Sequence, residues 1–193
     1  MKFQYPLGAT PLDEDEAQDL IPHHITLQSQ LNEWEHLNIL DAEQWAFSKK
    51  RSNILEINFC KKMHLKMFGN TWKWAGKFRK SNKNIGIAWS EIHQSLLKLF
   101  DDVKVQLEFN SYPYDEIAVR FHHRLVCIHP FPNGNGRHSR LMTDLLLANM
   151  NSERFSWGNG ILNEEGNVRS TYINALREAD KKDISALLEF VRS

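Results

Sequence analysis

Apolar residues recur at helical spacing along almost the whole chain, and this pattern limits the possible folds more than any other feature. Side chains three or four positions apart share one face of an α-helix, so each run predicts a helix with one buried face. With 193 residues, the chain is long enough to bury one continuous core. The sequence therefore predicts a mostly helical, all-α fold. The clearest runs are Ile92, Leu96, Leu99, Phe100 and Val103, followed by Ile117, Phe121, Leu125 and Ile128.

Capping residues, glycine and proline mark the ends of the predicted helices. Thr10, followed by a proline and then by acids, predicts a helix start, because the helix dipole favours negative charge there. This helix is expected to end near Pro22. Further helices are predicted over 25–40 and 54–68.

One stretch departs from helical spacing. Residues 78–87 have a polar centre between apolar ends, which is typical of two short strands joined by a turn. The sequence therefore predicts a short β-hairpin at this point.

Charge is unevenly distributed, although the chain has 24 basic and 24 acidic residues. Residues 1–48 contain nine acids and one base, whereas residues 49–83 contain eleven bases and one acid. Two interpretations are open: the acidic segment lies against the basic one, or the basic segment faces an anionic partner. We expect residues 1–48 to form an acidic helical extension packed on a core domain of residues 49–193.

Composition argues against several classes of protein. No apolar run approaches the roughly 20 residues of a membrane span, and the amino terminus has no signal-peptide pattern. Cys60 and Cys127 are too few for a disulfide scaffold. We therefore expect a cytoplasmic protein without a membrane partner.

Residues 129–140 carry the strongest functional signal and read His-Pro-Phe-Pro-Asn-Gly-Asn-Gly-Arg-His-Ser-Arg. Two prolines hold the chain out of helix, and the Asn-Gly-Asn-Gly turn permits left-handed backbone angles. A new helix begins near Asn135 or Gly136, where free N–H groups and the helix dipole favour an anion. Arg137 and Arg140 lie on one face of its first turn. The segment therefore predicts a phosphate-binding site.

His129 ends the preceding helix and is predicted to face this phosphate site. An imidazole can take a proton from a hydroxyl that attacks a bound phosphate. A histidine at a helix end is more often structural, so the catalytic interpretation depends on the conjunction with the glycine turn and the two arginines.

Residues 129–140 resemble the signature of the Fic family, His-Pro-Phe-x-(Asp/Glu)-Gly-Asn-Gly-Arg-x-x-Arg, at every fixed position except Asn133. The resemblance covers roughly residues 50–193. The segments 8–13 and 31–35 further resemble a mobile-element-associated subgroup called mobile mystery protein B.

The resemblance implies nucleotidyl transfer, usually of AMP from ATP onto a Ser, Thr or Tyr hydroxyl of a target protein. His129 would be the general base, and Arg140 would reach the γ-phosphate. The hairpin at 78–87 would match the flap that docks the target as an added strand. The implied phosphate-binding residues are Asn133, Gly134, Asn135 (backbone and side chain), Gly136, Arg137 and Arg140, and the implied docking residues are Arg79, Lys83, Ile85 and Gly86.

Asn133 replaces the family's acid, which holds Mg²⁺. One neutral carbonyl oxygen is a poorer ligand for Mg²⁺ than a carboxylate, so we expect weakened metal binding. Three interpretations are open: AMP transfer with Mg²⁺ held mainly by the nucleotide, transfer of another phosphate-containing group, or a weakly active regulatory protein that binds nucleotide or a partner.

Fic proteins often carry an inhibitory helix, Ser/Thr-x-x-x-Glu-Gly/Asn, whose glutamate pairs with the second arginine of the signature. Residues 29–33 fit the first five positions, but Trp34 fails the last. Glu33 is therefore the predicted inhibitory residue and Arg140 its partner. A solvent-exposed helix glutamate is the alternative.

A DNA-binding regulator is the alternative from a different class, because clusters of Lys and Arg bind phosphate backbones. No helix-turn-helix or zinc pattern is evident, so direct DNA binding is not expected. The subgroup resemblance instead implies a separately encoded helix-turn-helix companion or antitoxin, as in a toxin–antitoxin pair. No zinc-ligand pattern is recognised around His122, His123, His129 and His138, so no metal site is expected there.

Overall fold

The computed structural model describes residues 10–159, 162 and 166–193. The first two residues of the 8–13 segment lie outside these ranges. The predicted all-α fold is confirmed. The helices within the described ranges are α1 (Glu14–Gln18), α2 (Gln28–Phe47), α3 (Ile57–Phe68), α4 (Ile92–Glu108), α5 (Tyr114–Ile128), α6 (Asn135–Asn149), α7 (Asn167–Asp180) and α8 (Ser185–Arg192), with single 3-10 turns at Trp89–Glu91 and Trp157–Asn159.

Helices α5 and α6 form the centre of the fold and pack against each other. Ten of the fifteen residues of α6 are buried, so this helix is enclosed on most sides. Helices α2, α3 and α4 cover one side, where the fully buried rings of Phe68, Phe100 and Phe121 lie in the main core. Helices α7 and α8 cover the other side and bury Tyr172 and Phe190.

Helices α2 and α3 each begin three residues later than predicted, and the carboxyl ends of α1 and α2 also differ from their predictions. Helix α1 ends at Gln18 rather than near Pro22, because Leu20 forms an isolated antiparallel bridge with Trp72. Helix α2 runs on to Phe47 instead of ending near position 40, since Ala46 continues its buried face.

The predicted β-hairpin over 78–87, called here the flap loop, is wrong. These residues have no strand, and the Leu20–Trp72 bridge is the only strand-like pairing in the described part of the chain. The Arg79 guanidinium closes the loop instead, donating hydrogen bonds to the carbonyls of Ser81 (2.8 Å) and Ile87 (2.5 Å). A side chain thus holds the two ends that strand pairing would otherwise join.

Of the helices in the described ranges, none combines the length and the apolar composition needed to cross a membrane.

Candidate active site

The turn between α5 and α6 is fixed by buried hydrogen bonds. The Asn135 side chain accepts a hydrogen bond from the Phe131 N–H (2.9 Å) and donates one to the Phe131 carbonyl (2.8 Å). The Phe131 ring is fully buried and stacks on His64, with ring centroids 3.7 Å apart. His64 Nδ1 accepts from the Gly76 N–H (3.0 Å), so Nε2 carries the proton and donates to the Asn133 carbonyl (3.0 Å). The turn is therefore preorganised.

These bonds correct one predicted role. Both polar atoms of the Asn135 amide hold the turn, so its side chain does not offer itself to phosphate as predicted. Only its backbone N–H, in the first turn of α6, stays suited to that task.

The amino end of α6 is where the sequence predicts an anion site. Gly134 has φ +77°, and a Cβ there would lie 2.6 Å from the Phe68 ring, so only glycine fits. The first-turn N–H groups of Asn135, Gly136 and Arg137 have no acceptor within the helix. Among the residues that the structure describes, a Cβ on Gly136 would meet only Arg140 Nη1, 3.9 Å away. Within that part of the chain, the N–H groups therefore border a space beside a guanidinium group.

The two arginines have different partners. Arg137 Nη1 lies 2.5 Å from Glu35 Oε2, and Glu35 also accepts a hydrogen bond from Trp72 Nε1 (2.7 Å). The Arg140 guanidinium interacts with the Tyr172 hydroxyl, and burial lowers the pKa of Arg140. The Tyr172 hydroxyl is in turn 2.8 Å from His122 Nε2.

The acid that pairs with Arg137 is Glu35, and it is not the acid that the sequence predicted as inhibitory. Glu33 is exposed to solvent, whereas Glu35, two positions later on α2, is buried against Arg137. Two positions correspond to roughly 200° around a helix, which separates the two faces. The predicted Glu33–Arg140 pair is replaced by a Glu35–Arg137 pair.

His129 caps the carboxyl end of α5 with a left-handed backbone (φ +53°) and is only 5% exposed. Burial, with smaller effects of the Arg79 and Lys83 charges, lowers the pKa of His129 to about 4. The imidazole is therefore neutral at pH 7. Its Nε2 lies 2.8 Å from Thr10 Oγ1. A neutral imidazole that contacts a hydroxyl at Nε2 has the arrangement required of a general base.

The flap loop lies directly on His129. Arg79 Nε donates to the His129 carbonyl (2.7 Å), and the Arg79 N–H donates to the Pro130 carbonyl (3.0 Å). A Cβ on Gly86 would lie 2.7 Å from His129 Cβ, so this glycine permits close approach. Arg79 is 2% exposed, which makes it a positioning residue rather than the predicted target-docking residue.

The other predicted docking residues divide into two groups. The Lys83 side chain is buried between Asp13 (2.6 Å) and Glu16 (2.5 Å) of the amino-terminal segment, so its charge is already paired. Ile85 and Gly86 are exposed, as a docking edge requires. The Lys83 contacts agree with the interpretation in which the acidic segment lies against the basic one.

Asn133 fits Mg²⁺ poorly. Its side-chain oxygen accepts the Gly134 N–H (2.6 Å), and its Nδ2 donates to the Thr10 carbonyl (2.9 Å). A neutral oxygen already engaged in a short hydrogen bond is a weak ligand for a cation that prefers carboxylates. We therefore assign no step of the reaction to a protein-held Mg²⁺.

The structure thus defines a class: a helical protein with a buried neutral histidine beside the glycine-rich amino end of a helix. Residues 54–147 match the model of the Fic/DOC family. "Probable protein adenylyltransferase" of Aquifex aeolicus is 39% identical over 64 residues, covering 33% of this chain and 17% of that protein. Protein adenylyltransferase fic-1 of Caenorhabditis briggsae is 26% identical over 147 residues, covering 74% and 27%. The chain spans less than a third of the length of these curated relatives.

Solved structures show the same fold. The N-terminal Fic domain of a cell filamentation protein from Bartonella quintana has a TM-score of 0.71 at 18% identity, covering 89% of this chain and 84% of that chain. BepC of Bartonella tribocorum with bound AMPPNP has a TM-score of 0.69 at 15% identity, covering 93% and 97%. Fic-1 from C. elegans has a TM-score of 0.67 at 22% identity, covering 92% and 51%.

Proposed function

We propose that this chain is a Fic-type protein adenylyltransferase, which transfers AMP from ATP onto a Ser, Thr or Tyr hydroxyl of a target protein. The observation that carries the proposal is the 2.8 Å contact between His129 Nε2 and a hydroxyl, close in the chain to the amino end of α6. The names of the two curated relatives and the AMPPNP bound to BepC support the same chemistry.

The site residues suit each part of the reaction. The α6 N–H groups and Arg140 would hold the polyphosphate. His129 Nε2 would take the proton of the target hydroxyl, whose oxygen bonds to the α-phosphorus while pyrophosphate leaves. Bound polyphosphate would raise the pKa of His129 from about 4, because nearby negative charge favours the imidazolium. Any Mg²⁺ would be held mainly by the nucleotide.

A nucleotide-binding regulatory protein is the second candidate. Glu35 occupies Arg137, and Asn133 lacks the family's negative charge, so both features weaken the family's phosphate and metal contacts. This candidate predicts ATP binding without transfer. Transfer of a different phosphate-containing group is a third candidate and predicts a different added mass.

The experiment is mass spectrometry of the protein and a cell extract after incubation with ATP and Mg²⁺. The expected result is addition of AMP to hydroxyl-bearing residues. His129→Ala should reduce the rate by about 10²–10⁴-fold, as loss of a general base does, while nucleotide binding is kept. His36→Ala on the exposed face of α2 is the matched control and should keep the full rate. Equal labelling by the His129→Ala variant would remove His129 from the mechanism.

The partner in the cell is also a proposal. The segments 8–13 and 31–35 resemble mobile mystery protein B, which supports a companion helix-turn-helix protein or antitoxin rather than direct DNA binding. Co-purification of the tagged chain with proteins encoded beside it would test this association.

A further inference from the structure

The hydroxyl that contacts the candidate base belongs to this chain. Thr10 Oγ1 lies 2.8 Å from His129 Nε2, and Thr10 is only 5% exposed. The hydroxyl therefore occupies the place where an attacking hydroxyl must give up its proton.

The same residue also contacts the phosphate-binding turn. The Thr10 carbonyl accepts a hydrogen bond from Asn133 Nδ2 at 2.9 Å. Thr10 thus bridges the base and the turn that precedes α6.

The residues after Thr10 are held like a docked peptide. Asp13 accepts a hydrogen bond from Ser81 (3.0 Å), and Lys83 pairs with Asp13 and Glu16. These contacts join α1 to the flap loop, which is the element expected to hold a target. A tethered acceptor has a high effective concentration, because its binding costs little further translational entropy.

We propose that Thr10 is an intramolecular acceptor, modified by the site that it occupies; this rests on the proposed adenylyl transfer. The Thr10 proton would pass to His129 Nε2. The Thr10 oxygen would bond to the α-phosphorus of ATP, and the bond from that phosphorus to the pyrophosphate oxygen would break. Thr10 would then carry AMP through a phosphodiester, and pyrophosphate would leave.

Peptide mass mapping after incubation with ATP and Mg²⁺, without and with added extract, tests the proposal. The expected result is AMP on Thr10. The fraction of the protein that is labelled per unit time should not change when the protein is diluted tenfold. Thr10→Val should remove this label and Thr10→Ser should keep it. Thr26→Val, at an exposed position, is the matched control and should label like the natural protein.

The outcomes separate the two proposals. AMP on extract proteins or on other residues of the chain, with none on Thr10, overturns this inference and leaves the proposed function standing. Thr10 labelling that slows on dilution overturns the intramolecular step. The absence of AMP from every protein in both mixtures overturns the proposed function together with this inference.

A separate cluster carries a second inference. His123 and Cys127 lie on successive turns of α5, and Asp180 ends α7 beside them. The Cys127 sulfur is 3.4 Å from His123 Nε2 and 3.5 Å from Asp180 Oδ1, and these last two atoms are 2.8 Å apart.

These separations approach those of a tetrahedral zinc site. Zinc bonds of about 2.0–2.3 Å at tetrahedral angles place ligand atoms about 3.3–3.6 Å apart. Both sulfur distances already fit, and only the His123–Asp180 distance must widen. We infer that His123, Cys127 and Asp180 form a zinc-binding site whose fourth position is open to water, since Asp180 is exposed.

Titration with Co²⁺, which substitutes for zinc, tests the second inference. We expect a thiolate-to-Co²⁺ charge-transfer absorption with one ion per chain, bleached by added Zn²⁺. Cys127→Ser should abolish it, and Asp180→Asn should weaken binding at least tenfold. Cys60→Ala, which removes the buried second cysteine, should leave the absorption unchanged. No charge-transfer band, or one that persists in Cys127→Ser, would overturn the site.

Discussion

Replacing Glu35 with glutamine should strengthen nucleotide binding. The Glu35 carboxylate is buried and pairs with Arg137 at 2.5 Å, so a bound phosphate must compete with it for the guanidinium. Glutamine is nearly isosteric and can still accept the hydrogen bond from Trp72, but it carries no charge. The substitution therefore removes the competing anion and keeps the side-chain volume.

The expected gain in nucleotide affinity follows from the strength of the ion pair between Arg137 and Glu35. A hydrogen bond between charged groups contributes about 1.5–3 kcal/mol net, and Arg137 and Glu35 side chains are 21% and 9% exposed, so solvent screening is modest. If phosphate takes over the freed guanidinium, the gain corresponds to a Kd lower by about ten- to hundredfold. Part of the same free energy is lost from the fold, so a lower melting temperature should accompany tighter binding.

Isothermal titration calorimetry with AMPPNP at fixed ionic strength measures this change. Glu33→Gln is the matched control, since it removes the same charge from an exposed position on the same helix. This control should leave the Kd for AMPPNP within about twofold of the value for the natural protein, because exposed charges are screened. If Glu35→Gln folds but binds AMPPNP no better than Glu33→Gln, Arg137 does not hold the nucleotide phosphates.

Three further predictions concern the turn and the buried histidines. Asn133→Asp should restore a carboxylate ligand and speed AMP transfer at low Mg²⁺; a slower variant at saturating Mg²⁺ would argue against AMP transfer of the family type. Gly134→Ala should destabilise the fold by about 1–3 kcal/mol in urea unfolding, because of its positive φ and the Phe68 ring; an unchanged midpoint would contradict this. Burial lowers the pKa of His138 to about 4 and that of His64 well below its usual 6.5, so only the unfolded chain takes up these protons as the pH falls below 6.5. The free energy of unfolding should therefore drop by about 1.4 kcal/mol per pH unit for each histidine; urea midpoints that stay flat between pH 7 and 5 would refute it.

Local patterns made part of the fold predictable. Helices α4, α5 and α6 follow apolar runs that pack on the core, so spacing along the chain locates them. The flap loop could not be predicted in this way, because Arg79 shapes it through hydrogen bonds that alternation of polar and apolar residues does not encode. Its polar centre and apolar ends are also what a hairpin would show.

The candidate site, too, was predictable from the sequence only in part. Residues 129–140 are contiguous, so the turn, the helix end and His129 could be located from the sequence. Thr10 lies 119 positions from His129, and Glu35 lies 102 positions from Arg137. Such pairings depend on how α1 and α2 pack on the domain, and a single sequence does not reveal them. An acidic segment that lies against a basic one was only one of two interpretations that the sequence left open.

The buried Arg79 has a consequence for how such proteins diversify. Within the described ranges its guanidinium bonds only to backbone carbonyls, at Ser81, Ile87, Ile128 and His129. Every amino acid supplies a carbonyl, so mutations at the tip of the flap loop leave these bonds in place. If the proposed function holds, side chains at the tip can change to suit new target proteins while His129 keeps its position, which separates the evolution of recognition from that of chemistry.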